Sequence, residues 1–178
     1  MNAIKAICVL ICIGLIAGCA SIYGIKYDYD PQTDFSKYKT YDWMAVPVKA
    51  NMNEFVVERV KNAVDAELGA KGLKRDSQHP DFLIAEHLMK KDTVEINEWG
   101  YDYGPYWDEW RTDHEISSSS YEEGMLILDF VDAGTKKLLW RGSAKSDIQW
   151  VDTPQKSESL INKAVQKILQ KYPPTSAS

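Results

Sequence analysis

The sequence predicts an α+β domain: an antiparallel β-sheet with two α-helices packed on one face. Three observations predict it. Two stretches carry apolar residues at helical spacing. Several others are short apolar or alternating runs rich in β-branched and aromatic residues. These two kinds of stretch do not alternate one for one, as a doubly wound parallel sheet would require.

In chain order, Ile25, Tyr27 and Tyr29 alternate with Lys26, Asp28 and Asp30, the period of a half-buried strand, and Pro31 ends it. Lys39 to Met44 reads as a second strand. From Glu54 to Lys71, Val57, Val60, Val64 and Leu68 recur at three and four, with Asn51 and Glu54 spaced as a cap and Gly72 as the stop. Phe82 to Met89 is mostly apolar. Thr93 to Trp99 continues in an extended style past Lys90-Lys91-Asp92, which predicts one long bent strand or two. Gly124 to Val131 and Lys137 to Ile148 flank Asp132-Ala133-Gly134-Thr135 as the clearest hairpin in the chain. Ser157 to Lys171 carries Leu160, Ile161, Ala164, Val165, Ile168 and Leu169 on a helical face, and Pro173-Pro174 forbids its continuation.

Ahead of these elements stands a lipoprotein-type signal. Lys5 supplies a positive flank, and Ala6 to Leu15 an apolar core too short to span a bilayer as a helix. Ile16-Ala17-Gly18 then places small residues before Cys19. Residues 1–18 are expected to be removed as a signal peptide. Lipidated Cys19 and a short tether would occupy 19–24, and residues 25–174 would form one domain. Cys8 and Cys12 leave with the signal, so the mature chain keeps one cysteine and cannot make an internal disulfide. Acyl chains contribute about 0.8 kcal/mol per buried methylene, enough to hold a protein on a bilayer without a spanning helix. Ala20 after the cysteine is similar to lipoproteins of enteric type that are released to the outer membrane. The expected location is therefore that membrane, facing the periplasm.

Charge is distributed unevenly. Between Glu95 and Glu123 lie nine carboxylates and one cation, Arg111, a local charge of −8, while the rest of the mature chain sums to about +2. The same stretch interleaves Trp99, Tyr101, Tyr103, Tyr106, Trp107, Trp110 and Tyr121 with Gly100, Gly104 and Pro105, so 97–121 reads as an acidic aromatic loop. Nucleic acid is excluded as a partner, because a phosphate backbone needs a basic track beside its stacking rings. Trp99, Tyr101, Tyr103, Tyr106, Trp107, Asp108 and Trp110 are the candidate binding residues. The seven aromatics of this stretch, Tyr121 included, do not follow one core-facing period, so several are expected to be exposed or packed on one another. With so short a tether the domain should sit close to the bilayer, and the acidic loop is expected to point away from anionic head groups.

Signals for chemistry are sparse. His79, His87 and His114 have no metal-ligand spacing, and no phosphate loop, dinucleotide fingerprint or nucleophile elbow is present. No catalytic residue, metal or cofactor is expected. Two lesser readings of the acidic loop are a carboxylate couple such as Asp108 and Glu115, and three carboxylates closing on calcium. His87 reads as a satisfied structural histidine, Tyr41 and Trp43 as sheet-face packing, and Trp140 as a packed strand residue beside Arg141, whose guanidinium is suited to stacking on an indole.

Four stretches carry a resemblance. They are Asp34-Phe35-Ser36-Lys37-Tyr38-Lys39-Thr40-Tyr41-Asp42-Trp43, Pro80-Asp81-Phe82-Leu83-Ile84, Gly124 through Gly142 with Leu139-Trp140-Arg141-Gly142 at its end, and Ala164-Val165 to Pro173-Pro174. Together they span nearly the whole mature chain, which resembles a family of bacterial lipoproteins known as domain of unknown function 4136. The resemblance implies an α+β domain on a lipid tether and brings no reaction, cofactor or catalytic residue. The expected role is a non-enzymatic envelope lipoprotein, held on the membrane by acylated Cys19 and docking on an envelope protein through the acidic aromatic loop. The alternative is cell-wall glycan binding, with Tyr106, Trp107 and Trp110 facing sugar rings while Asp108 and Glu109 accept hydroxyl hydrogen bonds.

Overall fold

Every stretch predicted as a strand or helix forms one where the structure describes it. A computed structural model describes residues 22–45, 53–90, 123–148 and 151–174. The predicted extended run Thr93 to Trp99 lies outside them. The strands are β1 (Ile22–Tyr29), β2 (Thr40–Trp43), β3 (Lys74–Arg75), β4 (Phe82–Lys90), β5 (Glu123–Asp132) and β6 (Leu138–Asp147). The helices are α1 (Glu54–Ala70) and α2 (Pro154–Leu169), with a 3-10 turn at Phe35–Lys37.

They build an α+β fold on one six-stranded sheet of order β1-β6-β5-β4-β2-β3. The sheet is mixed rather than wholly antiparallel. β1, β6, β5 and β4 pair antiparallel in turn, whereas β2 runs parallel to both β4 and β3. The cause is α1. A helix between β2 and β3 carries the chain back to the end it left, and the next strands then start in the same direction, as parallel pairing requires.

Both helices share one face of the sheet. Val60, Val64 and Leu68 of α1 and Ile161, Val165 and Ile168 of α2 join one cluster with Phe82, Ile84, Leu128, Phe130, Trp140 and Ala144. Strand alternation places those six sheet residues on the same side. Tyr27 departs from the predicted burial. It lies on the edge strand and is 45% exposed, with the Lys171 ammonium, just past the end of α2, 5.6 Å from its ring centre.

Helix boundaries follow local chemistry. The α1 cap is Asn53, not Asn51: its side chain accepts from Phe55 N–H. Gly72, two residues past the helix, takes a left-handed φ of 85°, where a side chain would be strained. α2 begins earlier than its apolar period, because Thr153 caps Lys156 N–H and Pro154 occupies the first turn.

Candidate functional site

Register places the ends of four strands side by side. Ile22 pairs with Ser146, Ser146 with Gly124, and Gly124 with Lys90. The start of β1, the end of β6, the start of β5 and the end of β4 therefore form one row across the sheet. Neighbouring strands are about 4.8 Å apart, so this row is about 14 Å wide. The chain leading to β1 and the 32 residues joining Lys90 to Glu123 are thus rooted at the same end.

That geometry also bounds where residue 19 can lie. Cys19 precedes Ile22 by three residues, a reach of about 10 Å at most. The acidic segment is rooted at the end of the sheet where the chain from Cys19 enters β1, and the direction it takes from there lies outside the described residues. The candidate residues themselves, Cys19, Trp99, Tyr101, Tyr103, Tyr106, Trp107, Asp108 and Trp110, lie outside the described residues, as do the Asp108 and Glu115 couple and Glu109.

α1 points its first turn at this end too. Lys61 Nζ lies 3.4 Å from Glu86 Oε1 midway along β4, while Asp65 accepts from Tyr41 and Trp43 nearer the start of that strand. Phe55 lies six residues before Lys61, about 9 Å further toward that row of strand ends. It is 68% exposed. Tyr23, in the second position of β1, is 41% exposed, and its hydroxyl donates to Glu123 Oε2 at 2.7 Å.

The strongest electrostatic feature is a buried cluster on the sheet face opposite the helices. Asp129 is fully buried and Arg141, directly across from it on β6, is 1% exposed. Arg141 Nε donates to Asp129 Oδ1 and Nη2 to Oδ2 at 2.6 Å, a two-pronged pairing. His87 Nε2 stands 3.2 Å from Oδ2. Burial on its own would push the Asp129 carboxyl up, but the Arg141 charge and the hydrogen bonds from Arg141 and His87 hold it down at about 2. An ionised carboxylate only accepts, so Nε2 is the protonated ring nitrogen of His87 in this contact. His87 is the satisfied histidine the sequence led us to expect. Trp140, as expected, is packed in the core, while its neighbour Arg141 points to the other face.

The stretches behind the family resemblance carry structural tasks at the far end and side of the sheet. Asp34 caps the 3-10 turn by accepting from Ser36 N–H. Asp81 Oδ2 accepts from Lys39 N–H and Thr40 N–H at 2.8 Å each, contacts that hold its carboxyl below the usual range despite partial burial. Tyr41 Oη and Trp43 Nε1 donate to Asp65 Oδ1 at 2.9 and 3.1 Å, fastening β2 to α1.

Tyr38 Oη donates to Asp132 Oδ2 at 2.9 Å, fastening the 3-10 turn to the hairpin. Burial first, then that bond and the Asp132 charge, push the Tyr38 phenol up to about 12. Burial and Glu123 push the Tyr23 phenol up to about 12 as well. A phenol raised from its unfolded value near 10 stabilises the fold fully below pH 10, and that contribution is lost as pH rises through about 12. Urea unfolding at stepped pH should show stability falling across that interval. Tyr38→Phe should cost about 1 kcal/mol at neutral pH and flatten part of the alkaline loss. An alkaline profile identical in the variant would remove Tyr38 from the account.

Among the described residues no group of three or more His, Cys, Asp or Glu side chains is placed to hold a metal ion, and no helix is long and apolar enough to cross a membrane. An open groove between α1 and α2 is lined by Arg59, Asn62, Glu67, Glu158 and Asn162, a solvated mixture of both charges. It holds no nucleophile beside a base.

A family model described as "Domain of unknown function (DUF4136)" matches residues 25–174. No curated protein matches the chain. Among solved structures, a PDZ domain protein from Parabacteroides distasonis is similar, with a TM-score of 0.56 and 16% identity over 88% of this chain. The chain spans only 37% of that protein's length, and at this identity the likeness shows the fold alone. A dodecamer of PelC from Paraburkholderia phytofirmans gives a TM-score of 0.42 at 10% identity, covering 84% of this chain and 95% of the other.

Proposed function

This chain belongs to the family described as Domain of unknown function (DUF4136), and from that premise we propose that it is a non-enzymatic envelope lipoprotein. Acylated Cys19 holds it on the outer membrane, facing the periplasm. It acts as a docking module for another envelope protein through the acidic aromatic segment 97–121. The observation that carries the reading is the rooting of residues 91–122. They leave β4 at Lys90 and return to β5 at Glu123, two strands paired from Phe82 with Asp132 to Lys90 with Gly124, so a long segment of charge −7 is held by a rigid stem. Functional segments placed on a rigid scaffold are a common arrangement for binding.

The charge selects the partner class. A basic surface on a protein is steered toward such a segment and oriented by it, while tryptophan and tyrosine serve as anchors once contact is made. Rooting beside the tether brings that surface close to the bilayer, so the partner is an envelope protein whose basic patch lies at membrane level.

Deleting Trp99 to Ser119 should abolish capture of the partner from the native envelope while leaving the unfolding transition of the domain in place. Capture that survives the deletion would overturn the docking role. Capture of cell-wall glycan fragments alone would replace it with the sugar-binding alternative.

A further inference from the structure

We infer that the tether end of the fold is a second membrane contact, in which Phe55 and Tyr23 lie in the lipid head-group layer and set the domain upright on the bilayer. This rests on the lipid-anchor reading above and adds the orientation that the anchor alone does not impose. A lipid on a single residue fixes where a domain is held and not which way up it stands.

The described residues contain three exposed large hydrophobic side chains, and two of them, Phe55 and Tyr23, sit at the end of the sheet where the tether joins. Phe55 is the most exposed of the three. It occupies the first turn of α1, whose cap at Asn53 fixes its direction, so its exposure belongs to a rigid helix end. An apolar ring held there, beside a lipid-modified residue at most about 10 Å from β1, meets the boundary between head groups and acyl chains.

The surrounding charge sets the depth. Glu54 adjoins Phe55, and the pairs Lys145 with Glu123 and Lys156 with Asp152 occupy the same end. These groups stay in the hydrated layer, so the rings reach head-group level and no deeper. Tyr23 suits that level because its ring is apolar while its hydroxyl remains bonded to Glu123. At the other end, the turn carrying Thr135 lies about 30 Å away along ten-residue strands.

The test uses the mature acylated lipoprotein in vesicles of phosphatidylethanolamine and phosphatidylglycerol. With Cys19 in a thioether, an introduced cysteine is the one free thiol, and it is labelled with an environment-sensitive fluorophore. Phe55→Cys, Tyr23→Cys and Thr135→Cys each alter an exposed position. Nitroxide lipids labelled at the head group should quench positions 55 and 23 several-fold more strongly than position 135, and acyl-tail nitroxides should quench all three weakly. Equal quenching at the three positions, or stronger quenching at 135, overturns the proposed orientation while leaving the anchor reading intact. A protein that does not float with vesicles at all overturns the anchor reading, and this inference with it.

Discussion

Asp129→Asn should remove about 3–5 kcal/mol of stability, the cost of leaving a buried cation without its counter-charge. Single domains have only about 5–15 kcal/mol in total, so the variant loses a large share of its stability. The substitution keeps the shape of the side chain and removes the charge that Arg141 grips with two donors and that His87 also contacts. Replacing both partners with apolar residues of similar volume, Asp129→Leu with Arg141→Met, should recover most of the loss, because the desolvation of two charges is then relieved together. A double variant as unstable as the single one would show that other contacts of these side chains dominate.

The same cluster shapes the acid limb. A carboxyl lowered from an unfolded value near 4 to about 2 contributes stability that is complete above pH 4 and disappears as pH falls through about 2. Chemical unfolding between those limits should show a loss in the native protein that is absent from Asp129→Asn.

Gly142→Ala should destabilise the domain by about 1–3 kcal/mol or more, the range for overpacking a filled core. Gly142 and Trp140 alternate along β6 on the helix-facing side, and the indole is folded back over the glycine. A methyl group at position 142 collides with Trp140 Cη2 and stands 2.6 Å from Ile168 Cγ2 on α2. The indole has nowhere to go, because the Phe130 and Tyr172 rings are centred 5.0 and 5.4 Å from it. Combining Gly142→Ala with Trp140→Leu should cost less than the sum of the two single changes, since the smaller side chain vacates the contested space. Thermal unfolding of the four proteins of this cycle measures the coupling, and strict additivity would contradict the steric account. The Leu139-Trp140-Arg141-Gly142 run thereby acquires a physical meaning. One residue fills the core, the next pairs with Asp129 on the opposite face, and the third has no side chain because the first lies over it.

Much of this fold was legible because its main elements are long and periodic. The hairpin around Asp132 to Thr135 and both helices follow from spacing alone. The two-residue β3 and the 3-10 turn are too short to show a period. The parallel pairing of β2 depends on where α1 returns the chain, which is not a local property. The charged pair did leave a signal. Met125 to Val131 is a nearly continuous apolar run, the pattern of a strand covered on both faces, and Asp129 interrupts it. Counting outward from the hairpin turn would set Trp140 opposite that aspartate; an irregularity between Phe130 and Val131 shifts the register by one residue and brings Arg141 there.

The candidate site was legible in part. Composition marks 97–121 as acidic and aromatic. The place of its roots beside the start of β1 follows from the register of four strands, Ile22 to Ser146 to Gly124 to Lys90, and no local pattern encodes that. The direction in which the acidic segment points, for which the charge argument gave an expectation, lies outside the described residues.

The measurement that tests the central claim most directly is photocrosslinking of the mature lipoprotein in its native envelope, with photoreactive groups placed in turn at Trp99, Tyr106 and Trp110. The account predicts one protein adduct shared by these positions, lost when the charge of the segment is reversed, and formed with a partner that carries a basic surface at membrane level. Adducts to cell-wall glycan alone, or no adduct at any of the three positions, would contradict it.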